Sequence, residues 1–196
     1  MAVLKVLSVN TSKGKGSSKN PVEWIELTEN GVKDDVHEGL KNRQVSLLGK
    51  ESIDKAAKEK PGFGEFGEDI TTAGFELWKA RPLDIFENEQ IKLEIAQIGK
   101  KCKEGDCKKG QNADDCTLLG EGVFCRVVKG GKLKAGDTLG HKPKIYHNLL
   151  VTMSDRASKG QYADKSGPIL KKRVEAHLSA SGKQFKTDYI VLPDNP

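Results

Sequence analysis

Residues 120–139, GEGVFCRVVKGGKLKAGDTL, decide the fold. Gly122–Val128 is an alternating, β-branched run and reads as a strand. Gly130-Gly131 turns it, and Lys132–Leu139 follows as the next strand. A run of short strands joined by glycine turns is the pattern of a meander or barrel. The texture repeats outward from there. Gln90–Ile98 alternates cleanly, with Ile91, Leu93, Ile95 and Gln97 on one face. Val3–Val9 and Val22–Thr28 are two more strands, separated by the Gly/Ser/Lys loop Thr11–Lys19. Asn30-Gly31 is a strong turn signal. Lys50–Glu59 (KESIDKAAKE) is expected to be a helix, stopped by Pro61-Gly62.

The texture changes after Gly140. Leu149–Met153 reads as a strand and Ser154–Lys165 as a polar loop. Ser166, as N-cap, and Pro168 open a helix that runs to about Ala180, with Leu170, Val174 and Leu178 as its buried stripe. Gly182 stops it, and Tyr189–Leu192 is a second strand. Strand, helix, strand is a βαβ unit with parallel strands. Two parallel strands and one helix cannot cover both sheet faces, so this tail must dock on the body, pair with another chain or be incomplete. The expected organisation is a mainly β body over 1–140, a linker over 141–147 and a βαβ segment over 148–196.

Composition narrows the function. A chain of 196 residues suffices for one good core, or one domain plus an appendage. Its 36% hydrophobic and 31% charged residues indicate a polar, globular protein. No apolar run approaches the ~18–20 residues that cross a bilayer, so no membrane association is expected. The N-terminus lacks the basic and long apolar regions of a signal peptide and reads as a cytoplasmic start. Four cysteines without an export signal read as reduced thiols. The net charge of +5 lies entirely in the tail: residues 141–196 hold 10 Lys+Arg against 5 Asp+Glu, and residues 1–140 hold 23 of each. No nucleic-acid surface is indicated on the body.

Four ordered blocks then carry a resemblance: GVKDDVHEGLKNRQVSLLGKES (31–52), PGFGEFGEDITTAGFEL (61–77), IGKKC (98–102) and GEGVFCRVVKGGKLKAGD (120–137). Together they resemble a MOSC domain, the β-barrel domain found at the C-terminus of molybdenum-cofactor sulfurases and in stand-alone bacterial proteins. The tail segment VTMSDRASKGQYADKSGPIL (151–170) resembles the opening strand, loop and helix of the molybdopterin-binding family. The downstream glycine-rich and acidic segments of that family do not follow before PDNP (193–196), so the tail supports a molybdenum-cofactor context without implying adenylyltransferase activity.

The resemblance implies a role for Cys102, in the catalytic position, as a sulfur carrier (a persulfide) or a molybdenum ligand. Lys100, Lys101 and Lys103 around it favour the thiolate that either role needs. Cys107, flanked by Lys108 and Lys109, is a candidate second thiol. Cys102–Cys107 and Cys107–Cys116 disulfides are alternatives. A four-cysteine zinc site with Cys116 and Cys125 is disfavoured by its C-x4-C-x8-C-x8-C spacing. Cys125 in its strand reads as a small buried hydrophobe.

His37 closes the run Asp34-Asp35-Val36-His37, which resembles the family's Gly-Asp-x-x-His run with its glycine replaced, and is read either as a donor or proton carrier or as a loop histidine satisfied by backbone. Arg43 suits a planar anion, with an ion pair to Glu51 or Glu68 as the alternative. Gln44 and Ser46 fall on the face opposite Arg43 and are further ligand-binding candidates. Glu68, Asp69 and Thr71 match the Gly-Glu-Asn-Ile/Leu-Thr block, with Asp69 where the family has Asn. An ionised Asp only accepts hydrogen bonds, so the ligand or its pose differs, or Asp69 caps a turn. Arg126, with Lys129, Lys132, Arg43 and the Lys100–Lys109 run, is expected to line a basic cleft for a pterin phosphate, unless it points to solvent. The tail loop, with Asp155, Arg156, Ser158, Asp164, Ser166 and Gly167, presents a helix N-terminus as an anion site or serves as a docking segment.

The resulting expectation is a protein associated with the molybdenum cofactor (molybdopterin), or a sulfur transferase, whose partners are cofactor proteins or a sulfur donor. One alternative is a non-catalytic module whose tail completes a sheet with a partner or forms a homo-oligomer. Another is a component of a molybdenum-dependent reductase of N-hydroxylated bases. The sequence carries no flavin, haem or iron–sulfur motif for an electron-donor domain.

Overall fold

A computed structural model describes residues 2–14, 18–56, 61–99 and 120–194. These form two compact units, 1–143 and 144–196. The first contains β1 (Val3–Thr11), β2 (Asn20–Val22), β3 (Trp24–Thr28), β4 (Gly31–Val32), β5 (Val45–Gly49), α1 (Lys50–Ala56) and β6 (Ile70–Ala73). A 3₁₀ turn at Leu77–Lys79 follows, then β7 (Ile85–Glu87), β8 (Lys92–Ile98), β9 (Val123–Lys129), β10 (Gly131–Lys134) and β11 (Thr138–Lys142).

Seven strands close into a barrel in the order β1-β11-β7-β8-β9-β5-β6 and back to β1. The fold class expected from the sequence is thus the observed one. Closure leaves the barrel itself no free edge. Inward positions alternate as the strand period requires: Leu93 and Ile95 on β8, Cys125 on β9, and Leu4 and Val6 on β1 are all buried. They join Val45, Leu47, Phe86 and Leu139 in one apolar core. The outer wall at β5 and β9 is covered too, because Leu48 and Phe124 pack with Ile53 of α1.

The sequence reading merged two pairs of strands. Val22–Thr28 breaks at Glu23 into β2, which pairs with β1, and β3, which pairs with β10. Lys132–Leu139 breaks at Ala135-Gly136-Asp137, where the Lys134 N–H donates to Asp137 Oδ2 at 2.9 Å and closes a turn. β10 therefore joins β3, while β11 joins the barrel. The helix expected over 50–59 is described only to Ala56. Most of the expected linker is strand: β11 runs to Lys142, and the next strand starts at Ile145.

The second unit holds β12 (Ile145–Met153), α2 (Asp155–Ser158), α3 (Ser166–Ala180) and β13 (Gln184–Leu192). β12 and β13 are parallel and paired over their whole length, Ile145↔Gln184 to Met153↔Leu192. This is the expected βαβ unit with longer strands. α3 packs on both strands and approaches β13 closely at Gly167, where a Cβ would lie 2.1 Å from the Tyr189 ring. That approach sets the helix rotation. Gly167 and Leu178 are buried and Val174 half-buried, while Leu170, expected in the stripe, is 46% exposed. Ser166 is the first helical residue rather than the cap. Asp164 accepts the N–H groups of Ser166 (2.9 Å) and Gly167 (3.1 Å), so its carboxylate already occupies the helix N-terminus expected to receive an anion.

Candidate functional site

A pocket of about 130 Å3 opens on the outer wall of the barrel. β5 and β9 form its base. Ser46 and Phe124 face each other across this strand pair and both line the pocket. The chain between β4 and β5 contributes His37, Leu40 and Arg43, and the turn before β6 contributes Gly67 and Asp69. Four sequence candidates from two separate blocks, His37, Arg43, Ser46 and Asp69, therefore meet at one place. Arg43 is exposed at this pocket. It makes no hydrogen bond or ion pair among the described residues, including Glu51 and Glu68.

Asp69 is locked to Ser46 in both directions. Ser46 N–H and O–H both donate to Asp69 Oδ2, at 2.8 and 2.6 Å. The Asp69 N–H donates to Ser46 O at 2.9 Å. The other carboxylate oxygen meets the Lys19 ammonium. Lys19 also lies 2.8 Å from Asp35 Oδ1, and both side chains are 1% exposed. Asp35 in turn accepts the N–H groups of Ser12 (2.9 Å) and His37 (3.0 Å), and His37 Nδ1 lies 3.3 Å from it. A chain thus runs from the half-exposed His37 through the buried Asp35, Lys19 and Asp69 to Ser46. Its two carboxylates respond oppositely. Burial works against the charge on Asp35, but hydrogen bonds from His37, Lys19 and Ser12 outweigh it and hold the carboxyl well below its usual range. Burial pushes Asp69 up, against the pull of Lys19 and Ser46.

Lys19 and Asp35 escaped the sequence reading. Lys19 closes a Gly/Ser/Lys loop that reads as solvated, and Asp35 reads only as a neighbour of His37. The one available signal was the acidic residue in the Gly-Glu-Asp block, since a carboxylate buried there requires a cation. Gly64 makes room for that cation's backbone: its φ is +84°, and a Cβ would lie 2.3 Å from the Lys19 carbonyl oxygen.

The other candidates stand elsewhere. Glu68 is fully buried, and its Oε1 accepts from the Gly64 N–H (2.7 Å) and the Thr71 hydroxyl (2.9 Å). Asn10 Nδ2 donates to the Glu68 carbonyl at 3.2 Å, so Glu68 and Thr71 brace the turn beneath the pocket. Gln44 bridges two segments: its Nε2 donates to Glu29 O (2.6 Å) and its Oε1 accepts the Val127 N–H (2.8 Å). Arg126 lies on the exposed surface of β9 and pairs with Glu94. Lys129 donates to Glu89 O, and Lys132 sits over the Trp24 ring. Of the cations expected to form a basic cleft, only Arg43 lines this pocket among the described residues. Cys125 is fully buried in the barrel core, and burial pushes its thiol well above the usual range, as befits a packing residue. Cys102, Cys107, Cys116 and the Lys100–Lys109 run lie outside the described residues.

No protein-family model matches the sequence, and a search of curated proteins gives no match. Solved structures do match. The YuaD protein from Bacillus subtilis is similar at 16% identity and a TM-score of 0.63, over 72% of this chain and 97% of that one. YiiM from Geobacillus stearothermophilus is similar at 16% identity and a TM-score of 0.53, over 71% and 74% of the two chains. YiiM from Escherichia coli matches at 21% identity and a TM-score of 0.51, over 74% and 72%. YiiM is a MOSC-domain protein, and the barrel described here has a MOSC-like fold. No helix among the described residues is long and apolar enough to cross a membrane.

Proposed function

We propose that this chain is a molybdenum-cofactor-associated protein, with the β5/β9 pocket seating an anionic group and Cys102 carrying sulfur as a persulfide or ligating molybdenum. The observation that carries the reading is the meeting of His37, Arg43, Ser46 and Asp69 around one pocket on a MOSC-like barrel. A cavity of about 130 Å3 is below the ~300–1,000 Å3 of whole-ligand pockets, so these residues fit one end of a pterin cofactor rather than all of it. Arg43 would hold that anionic end with its guanidinium fork. His37, fixed through Nδ1 by Asp35, would present its other ring nitrogen for hydrogen bonding or proton transfer. Leu40 and Phe124 would exclude water from the apolar side. The cofactor, when bound, would supply the metal-centred redox or sulfur chemistry.

Native mass spectrometry with metal analysis tests this on protein purified anaerobically from molybdenum-replete cells. A pterin-sized adduct, molybdenum or an added sulfur atom on wild type, lost in Cys102→Ser, supports the reading. A clean apo mass for wild type contradicts it.

A second reading is favoured by a different observation. Leu149, Val151, Met153, Ile190 and Leu192 are exposed on one face of the two-stranded sheet. In this reading the chain is a binding or oligomerisation module whose tail completes a sheet with a partner. Deletion of residues 144–196 should then change the sedimentation behaviour; an unaltered species counts against it.

A further inference from the structure

The charge beneath the pocket carries a consequence for the ligand. Lys19 is one cation between two carboxylates, Asp35 and Asp69. Such a trio either retains one negative charge or takes up one proton. Asp35 is the better stabilised anion: beyond the shared Lys19 it accepts the Ser12 and His37 N–H groups and faces His37 Nδ1 at 3.3 Å, whereas Asp69 is held otherwise by Ser46 alone among the described residues. The excess charge, or the proton, therefore belongs to Asp69, and Asp69 lines the pocket. Its neighbours complete the electrostatic surroundings: Lys19 and Asp35 behind it, the neutral Ser46 against Oδ2, and Arg43 and His37 around the same cavity. Lys19 is fully engaged below, which leaves Arg43 as the unpaired cation of the lining among the described residues.

We propose that the pocket is a site for a singly charged organic acid, and that Asp69 is the specificity-determining residue that excludes doubly charged oxyanions. The inference rests on reading the pocket as an anion site and names the kind of anion it takes. Arg43 matches one negative charge. A second charge on the ligand meets the Asp69 carboxylate with no further unpaired cation among the described lining residues to offset it, and repulsion at this range in a partly buried site is worth about tenfold in affinity or more. Leu40 and Phe124 favour an acid with an apolar body over a bare inorganic ion. A phosphate ester would enter as its monoanion, against its second ionisation near pH 6.

Sulfate and methanesulfonate provide the test, because they share a tetrahedral oxyanion head and differ by one charge. Both are followed by amide NMR of the full chain at Arg43 and Gly67. Wild type should bind methanesulfonate at least about tenfold tighter than sulfate, and Asp69→Asn should abolish or reverse that preference. The wild-type preference should also narrow on acidification as Asp69 takes up its proton, and His37→Gln should retain the narrowing. Equal wild-type affinities, an unchanged ratio in Asp69→Asn or a pH-independent preference overturns the assignment of Asp69 while leaving the anion site standing. If neither anion moves these amides, the anion-site reading falls, and this inference with it.

Discussion

The barrel and the tail solve the same problem with unequal success. Both are built from short alternating strands. The barrel joins its strands into a ring, so every inward residue meets apolar neighbours and a continuous core forms. The tail has two parallel strands, the short helix α2 and the longer α3 that packs on both strands, and Leu178 is its one buried large apolar side chain among the described residues. Parallel strands are ordinarily covered on both faces. The closed barrel thus carries buried charges beneath a polar pocket wall, while the open two-stranded sheet of the tail leaves Leu149, Val151 and Met153 exposed.

Mutations can break that comparison. Phe86→Ala in the barrel core should cost about 3–5 kcal/mol in chemical denaturation, the usual penalty for emptying a fully buried aromatic site. Lys19→Met should cost about 3 kcal/mol near neutral pH, because two buried carboxylates lose their shared cation. Its penalty should shrink in acid as those carboxylates protonate; a pH-independent loss would mean that Lys19 acts through packing alone. Leu178→Ala should cost about 2 kcal/mol, read as faster amide exchange in β12 and β13 with the barrel amides unchanged. Arg126→Gln should change stability by less than about 1 kcal/mol, since its pair with Glu94 is solvent-exposed.

The pH dependence sharpens the same contrast within the barrel. The Asp35 carboxyl is held low, so its contribution is present above the unfolded carboxylate pKa and is lost as pH falls through the lower folded value. Asp69 is pushed up, so its contribution has the opposite sign: full below the unfolded pKa and lost as pH rises through the higher folded value. Denaturation of Asp69→Asn across pH should therefore show a flatter decline above the acid range than wild type. An unchanged slope would remove Asp69 as its source.

Much of this architecture was legible in residue order. Alternation at Ile91, Leu93 and Ile95, the Asn30-Gly31 turn and the βαβ spacing of the tail are local signals, and local signals survive folding. The two split strands were less legible because Glu23 and Gly136 interrupt runs without breaking their hydrophobic pattern. The site was half legible. His37, Arg43, Ser46 and Asp69 stand in recognisable blocks, but Lys19 becomes a buried counter-ion only through contacts with residues 16 and 50 positions away. Gln44, Glu68 and Thr71 occupy the same blocks, yet their side chains bond to backbone or to each other. Nothing in residue type separates a polar group that braces a pocket from one that faces its ligand.

Calorimetric titration of methanesulfonate into wild type, Arg43→Gln and Arg126→Gln tests the pocket most directly. Both variants remove one positive charge, one inside the pocket and one outside it. The account predicts binding to wild type and Arg126→Gln, and its loss in Arg43→Gln. Equal binding in the two variants, or loss in Arg126→Gln alone, would contradict it.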